Sequence, residues 1–299
     1  MTQPWTLALS NRGNTCFCNA ALQLLLSPYF AQSPWVATEL LRRLQNGRRP
    51  QYSILQEVLY LVLEKQRGGS FSDGREFFRK FNAMPSDYAD GRAGDPSEVI
   101  MRLFAREDEL QPAGADTFTL GSLFDILVAR TTRCTTCNYT STVQETQRNL
   151  HVSVADARNV AQFFAVLQQP EEIIGYDCPA CKAADANCAL PNGTRHMRFL
   201  RLPHLLLLEI KRQTDPHLPV SSAPFTAAAT IGWADKSGHY VRSAIIDFLP
   251  GHAHYVVHQY LPIGLGGADV CKMFDDSTRR DPPPLQAPVA VLYEWRPNG

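Results

Sequence analysis

Between Cys16 and Ser27 the apolar residues Phe17, Ala20, Ala21, Leu24 and Leu25 recur at three- and four-residue intervals, and Pro28 ends the run. That period predicts a helix with one buried face. Helical pattern also runs through Pro34 to Leu44, Gln51 to Lys65, Gly74 to Asn82 and Pro96 to Phe104, so the first hundred or so residues read as mostly helical. Past Leu120 Thr, Val and Tyr become frequent and short alternating runs occur, among them NLHVSV (Asn149 to Val154) and FLRL (Phe199 to Leu202). Sheet takes over from helix there. The unbroken LLLLEIK of Leu205 to Lys211 reads as a strand covered on both faces, and AIIDFL, HYVVHQYL and VAVLYEW supply further strands toward the C-terminus. Gly264 to Gly267 and Asp281 to Pro284 read as turns within one unit rather than linkers between two, and no internal repeat interrupts the pattern. An α+β fold is expected.

Composition narrows the class of protein. The chain has 299 residues, 44% of them hydrophobic, enough for a substantial core. Lys plus Arg and Asp plus Glu number 29 each, so no basic excess points to nucleic acid or an anionic membrane as a partner. The opening MTQPWTLALSNRGN lacks the charged and then apolar blocks of a secretory signal, and no window approaches the roughly 20 apolar residues of a membrane span. A soluble protein of a reducing compartment, cytoplasmic or nuclear, is expected.

The eight cysteines change the picture, because four of them form two CxxC pairs, Cys134 with Cys137 and Cys178 with Cys181. Each pair can form a knuckle that offers two thiolates to one tetrahedral ion. Zinc is the natural occupant, since it accepts four sulfur ligands and brings no redox chemistry of its own. With four sulfurs bound no position is left for water, so one structural zinc per chain is expected. Cys188 and His196 are nearby spare ligands, and two local disulfides or four unrelated core thiols are the alternatives.

Cys16 and Cys18 pose a separate question. A cysteine in the first turn of a helix faces unpaired backbone amides and the positive end of the helix dipole, which favours the thiolate. Cys16 has that place; Cys18, two residues on, points elsewhere and reads as a small buried hydrophobe. A base must come from far along the chain, where PGHAHYVVHQY places His252 and His254 on one face of a strand-like stretch and KMFDDST supplies Asp275 and Asp276.

These segments, in this order, resemble the catalytic domain of the ubiquitin-specific proteases, the papain-like deubiquitinating enzymes. LSNRGNTCFCNAALQLL resembles the family's cysteine box, GDPSEVIMRLF its short acidic helix, the CxxC pairs its zinc ribbon, LRLPHLLLLEIKR its central strand, and HAHYVVHQY through FDDS to VAVLYEW its histidine box. The resemblance implies a papain-like fold made of a helical thumb (about 1–118), zinc-ribbon fingers (about 119–215) and a palm sheet (about 200–299) in a single domain, with ubiquitin in the palm and its C-terminal tail reaching Cys16. It further implies Cys16 as nucleophile, His254 as base, Asp275 as the group orienting that base, and Asn11 as an oxyanion donor beside the Cys16 amide. Asp95 and Tyr255 would be substrate contacts, with an N-cap as the alternative role for Asp95. The family's Gly-His-Tyr is His-Ala-His-Tyr here, which leaves His252 as competitor; Asp247 stands near an expected histidine, Gln213 replaces a phenylalanine and Lys272 a tryptophan. The implied activity is thiol-dependent hydrolysis of the bond after the diglycine of ubiquitin by a monomer. The alternatives are an inactive ubiquitin-binding scaffold, or a protease for a ubiquitin-like modifier or a polyprotein site.

Overall fold

The computed structural model describes residues 7–11, 15–27, 54–66, 70–71, 73–84, 94–111, 119–185, 189–212, 221–232, 238–252, 254–261, 270–275, 278–280 and 284–297. The expected helix from Pro34 to Leu44, the turn at Gly264 to Gly267 and the residues Cys188, Gln213 and Asp276 lie outside them. Among the described residues no helix is long and apolar enough to cross a membrane.

The N-terminal part is helical. β1 (Ala8–Leu9) and β2 (Ser70–Phe71) form a short parallel pair around α1 (Cys16–Leu25), α2 (Ile54–Gln66), α3 (Gly74–Lys80) and α4 (Pro96–Glu109). Asp73 and Asp95 cap α3 and α4, accepting from the Glu76 and Ser97 amides at 2.8 Å each. Gly74 is required where it stands: a Cβ there would lie 2.4 Å from the Cys18 carbonyl oxygen, so only glycine lets α3 begin against α1.

Next, β3 (Ile126–Cys134), β4 (Thr140–Gln147), β6 (Glu171–Ile173) and β7 (Gly193–Arg201) make a four-stranded sheet in the order β4-β3-β7-β6, while β5 (Leu150–Ser153) leaves it to pair in parallel with β8 (Leu205–Lys211). The larger sheet runs β13-β12-β11-β10-β14-β8-β5, with β9 (Thr230–Gly232) also on β10 (Gly238–Leu249), and β11 (His254–Leu261), β12 (Val270–Asp275), β13 (Thr278–Arg280) and β14 (Pro288–Pro297) completing it. Two helices that the strand-rich texture of this region concealed lie here as well, α5 (Val160–Gln168) and α6 (Pro179–Ala184).

The large sheet is sandwiched, which explains its apolar runs. Along β8 the alternation splits the leucines: Leu205 and Leu207 join α1 to α4 on one face, whereas Leu206 and Leu208 pack with Phe163 of α5 and Tyr293 on the other. All four leucines are fully buried. The helical layer, the covered sheet and the outlying four-stranded sheet are the thumb, palm and fingers of a papain-like α+β fold.

Candidate active site and metal centre

α1 carries no charged residue, and every one of its side chains is buried. Polar contacts, not surface charge, therefore fix its place. The Asn19 side chain accepts from the Gly74 amide at 2.7 Å and donates to the Ser10 carbonyl at 3.2 Å, tying the helix to α3 and to the loop that precedes it. Gln259 of β11 donates to the Gln23 carbonyl at 2.9 Å, and Ser27 is hydrogen-bonded to Ser243 of β10. In the sheet Ala244 faces Gln259, so Ser243 lies one step beyond Gln259 along β11. The C-terminal half of α1 thus follows β11 away from His254, and its N-terminal end with Cys16 is directed back toward the His254 end.

Cys16 is the first helical residue, where its amide has no partner inside the helix, and no carboxylate in the first turn offsets the helix dipole. The Thr15 hydroxyl donates to the Asn11 side-chain oxygen at 3.1 Å, so the group Asn11 can present as a donor is its amide NH₂. Cys18 is enclosed, its sulfur 3.5 Å from that of Met84, and burial pushes its thiol far up. It is an unfit nucleophile.

His254 opens β11, and its Nε2 lies 2.8 Å from Oδ1 of Asp275 at the end of β12. Both side chains are about one-fifth exposed. The register accounts for the meeting: Val257 faces Phe274, which places Asp275 opposite Val256, two residues from His254 and therefore on the same face of the sheet. His252 does not share that strand. Pro250–His252 is a 3-10 turn with His252 exposed, so the expectation that both histidines project from one strand face is corrected, because the chain turns at Pro250 and extends only from His254. Tyr255 is half-buried, its ring 5.0 Å from that of Phe248.

Asp95 is half-buried at the cap of α4; burial, and then the charge of Glu209, raise its carboxyl. Glu209, itself buried, accepts from Asn149 at 2.7 Å and pairs with Lys211 at 2.7 Å. Asp247 is fully buried and accepts from the amides of Gln286 and Ala287 at 2.9 and 2.6 Å. Its role is to pin the chain that enters β14.

At the far end of the fingers the four CxxC sulfurs converge within 4.8 Å of one another. Cys134 lies 3.8 Å from Cys181 and Cys137 lies 3.5 Å from Cys178, each pair drawn from both knuckles. A tetrahedral ion with metal–sulfur bonds of about 2.3 Å requires sulfur separations near 3.8 Å, so the four residues can hold one metal ion. Asn138 takes the left-handed conformation (φ 59°) that closes the first knuckle, and the Cys137 amide donates to the Cys134 sulfur, the leading cause holding that thiol down to about 7. A hydrogen bond with the Cys137 sulfur, and then burial, push the Cys181 thiol up; a cation bound among the sulfurs would take the place of that proton. His196 lies on β7, exposed, and is not part of the cluster.

Among known proteins, ubiquitin carboxyl-terminal hydrolase 36 of Drosophila ananassae is 24% identical over 230 residues, covering 68% of this chain and 19% of that protein. Ubiquitin carboxyl-terminal hydrolase 12 of Salmo salar is 24% identical over 233 residues, covering 68% of this chain and 60% of its own length. The chain therefore spans less than two thirds of these relatives. A solved structure of the SAGA DUB module, Ubp8 with Sgf11, Sus1 and Sgf73 bound to monoubiquitin, superposes with a TM-score of 0.72 at 15% identity, covering 98% of this chain and 70% of that one, which is a likeness of fold. The family model described as ubiquitin carboxyl-terminal hydrolase matches residues 7–221, a span that holds Cys16 and all four CxxC cysteines and ends before His254. By that match over most of its length, the chain belongs to the ubiquitin carboxyl-terminal hydrolase family.

Proposed function

We propose that the protein is a thiol isopeptidase that cleaves the bond between the C-terminal diglycine of ubiquitin and a lysine amine. The observation that carries this reading is the His254–Asp275 pair at the end of β11 toward which the first turn of α1, with Cys16, is directed. When Nε2–H of His254 donates to Asp275, Nδ1 is the basic nitrogen, and it takes the thiol proton of Cys16. The thiolate attacks the glycine carbonyl carbon, the carbon–nitrogen bond breaks, and His254 returns the proton to the departing amine. Water then attacks the thioester, His254 accepts its proton, and the thiolate leaves. The NH₂ of Asn11 and the Cys16 amide serve the oxyanion, while Asp95 and Tyr255 contact the substrate tail.

The four cysteines at the fingertip would hold zinc, a redox-silent ion suited to four thiolates, which supplies a structural crosslink and takes no part in the reaction. Free thiols at both sites require a reducing compartment, cytoplasmic or nuclear, and a monomer is sufficient for every role assigned.

The test is ubiquitin bearing a C-terminal thiol-reactive group. A covalent adduct is expected with the intact chain and with Cys18→Ala, and none with Cys16→Ala. Absence of an adduct with the folded, reduced intact chain would overturn the reading in favour of a binding scaffold, and an adduct with a ubiquitin-like modifier alone would reassign the substrate.

A further inference from the structure

The two faces of the finger sheet differ in charge although the chain as a whole has equal numbers of acidic and basic residues. Register defines the faces. Arg130 sits opposite Val143 and Met197, and Thr132 opposite Ser141 and Arg195, so these residues share one face. That face turns toward α4 and α5, where Arg130, Arg195 and Met197 line a cleft of ≈ 820 Å³ with Phe104 and Leu167. Its arginines are neutralised: Arg130 pairs with Glu145, and Arg195 lies 3.5 Å from Glu171.

The opposite face is turned away from that cleft and carries Arg133 on β3 and His196, Arg198 and Arg201 on β7, all four exposed. Around them are Thr140, Thr142 and Gln144 of β4, also exposed and uncharged. Arg133 donates to the Asn138 side chain at 2.8 Å, and no ion pair engages Arg198 or Arg201 among the described residues. The single carboxylate that register places on this face, Glu172, stands on the outer strand β6 and accepts from Asn192 at 3.4 Å. From Arg133 to Leu127, the position opposite Arg201, β3 rises about 20 Å, so the cations form a strip long enough for a short extended segment.

We propose that this outward basic face is a docking surface for an acidic polypeptide segment of a partner protein. Charge complementarity selects the partner: guanidinium groups left unneutralised on a flat sheet offer bidentate donors to Asp and Glu carboxylates, and the surrounding Thr and Gln side chains add hydrogen bonds without repelling an acidic chain. Nucleic acid is the poorer fit, since register places no Phe, Tyr or Trp ring on this face for a base to stack on, His196 being its one ring. The proposal is independent of the activity assigned above.

The experiment measures anisotropy of a fluorescein-labelled 16-residue peptide of alternating Glu and Ser against the whole protein, over a salt series, with a Gln-for-Glu peptide as the neutral control and a 16-nucleotide oligo-U RNA as competitor. Binding of the acidic peptide should weaken as salt rises, the neutral peptide should not bind, and Arg198→Glu/Arg201→Glu should weaken binding about tenfold, with Arg198→Gln/Arg201→Gln intermediate and both variants melting like the parent. Reaction of Cys16 with thiol-reactive ubiquitin should be unchanged in both. Absent peptide binding, or equal binding by the charge-reversed variant, would overturn the proposal. So would tighter binding of the RNA, which would make nucleic acid the occupant, or slowed reaction with ubiquitin, which would make this face part of the substrate seat.

Discussion

His254 and Asp275, on neighbouring antiparallel strands, are joined Nε2 to Oδ1 at 2.8 Å. An aspartate so placed keeps the proton on Nε2 and the basic lone pair on Nδ1. Asp275→Asn preserves shape but supplies an NH₂ that opposes the Nε2 proton, so the wrong tautomer is favoured. In the proposed isopeptidase, kcat should fall on the order of 10²- to 10⁴-fold with KM little changed, as read by release of a fluorophore from the ubiquitin C-terminus. An unchanged kcat would remove Asp275 from the catalytic set.

Gln259 is fully buried, and it fastens β11 to the last turns of α1 through the Gln23 carbonyl. Gln259→Leu should cost about 1–3 kcal/mol in urea unfolding, because a buried carbonyl loses its donor. The same substitution should slow reaction at Cys16 more than that stability loss explains, since the bond sets the register of helix against strand. Equal adduct rates in the two folded proteins would restrict Gln259 to a purely structural role.

Much of this arrangement was legible in the chain. The Cys16 helix, both knuckles and the double-faced β8 follow directly from period and spacing, as local patterns that tertiary packing only reinforces. α5 was hidden because Val160, Phe163, Phe164 and Val166 are β-formers by composition; the informative signal was Asn159, which caps the helix by accepting from the Gln162 amide at 2.9 Å. The pairing of His254 over His252 depended on a turn at Pro250 that a period-two pattern smooths over. Asn19, Gln23 and Gln259 went unassigned because their partners lie in other elements, although polar residues on otherwise apolar faces marked them as groups that must find hydrogen bonds.

The fingertip has little apolar core of its own: Cys134, Cys178 and Cys181 are the buried members, with Tyr176 and Ala180 packed beside them. A metal ion held by the four cysteines would therefore supply much of its cohesion. One zinc per chain is expected by elemental analysis, and chelation should lower Tm and expose the 134–193 region to proteolysis while Cys16 still reacts with a small alkylating reagent. Cys134→Ser should reproduce the chelated state. A chain purified without metal that melts at the same temperature before and after chelator would refute the centre.

Two buried groups should give opposite pH dependences of stability. Burial, and then the Arg242 guanidinium, hold His258 down to about 4 from 6.5, so between those values the unfolded chain binds a proton the folded one refuses, and stability falls as pH is lowered. Burial drives Glu107 up to about 7 from 4.5 against the two amide bonds it accepts from Leu120 and Gly121, so between those values the folded chain holds the extra proton and stability rises as pH is lowered. In the parent the two slopes oppose each other from pH 6.5 to 4.5. Urea midpoints at pH 7 and pH 5 separate them: compared with the parent, His258→Phe should gain stability on acidification and Glu107→Gln should lose it, the metal ligands contributing equally to all three. Identical pH slopes in parent and variants would show that neither group titrates in that window.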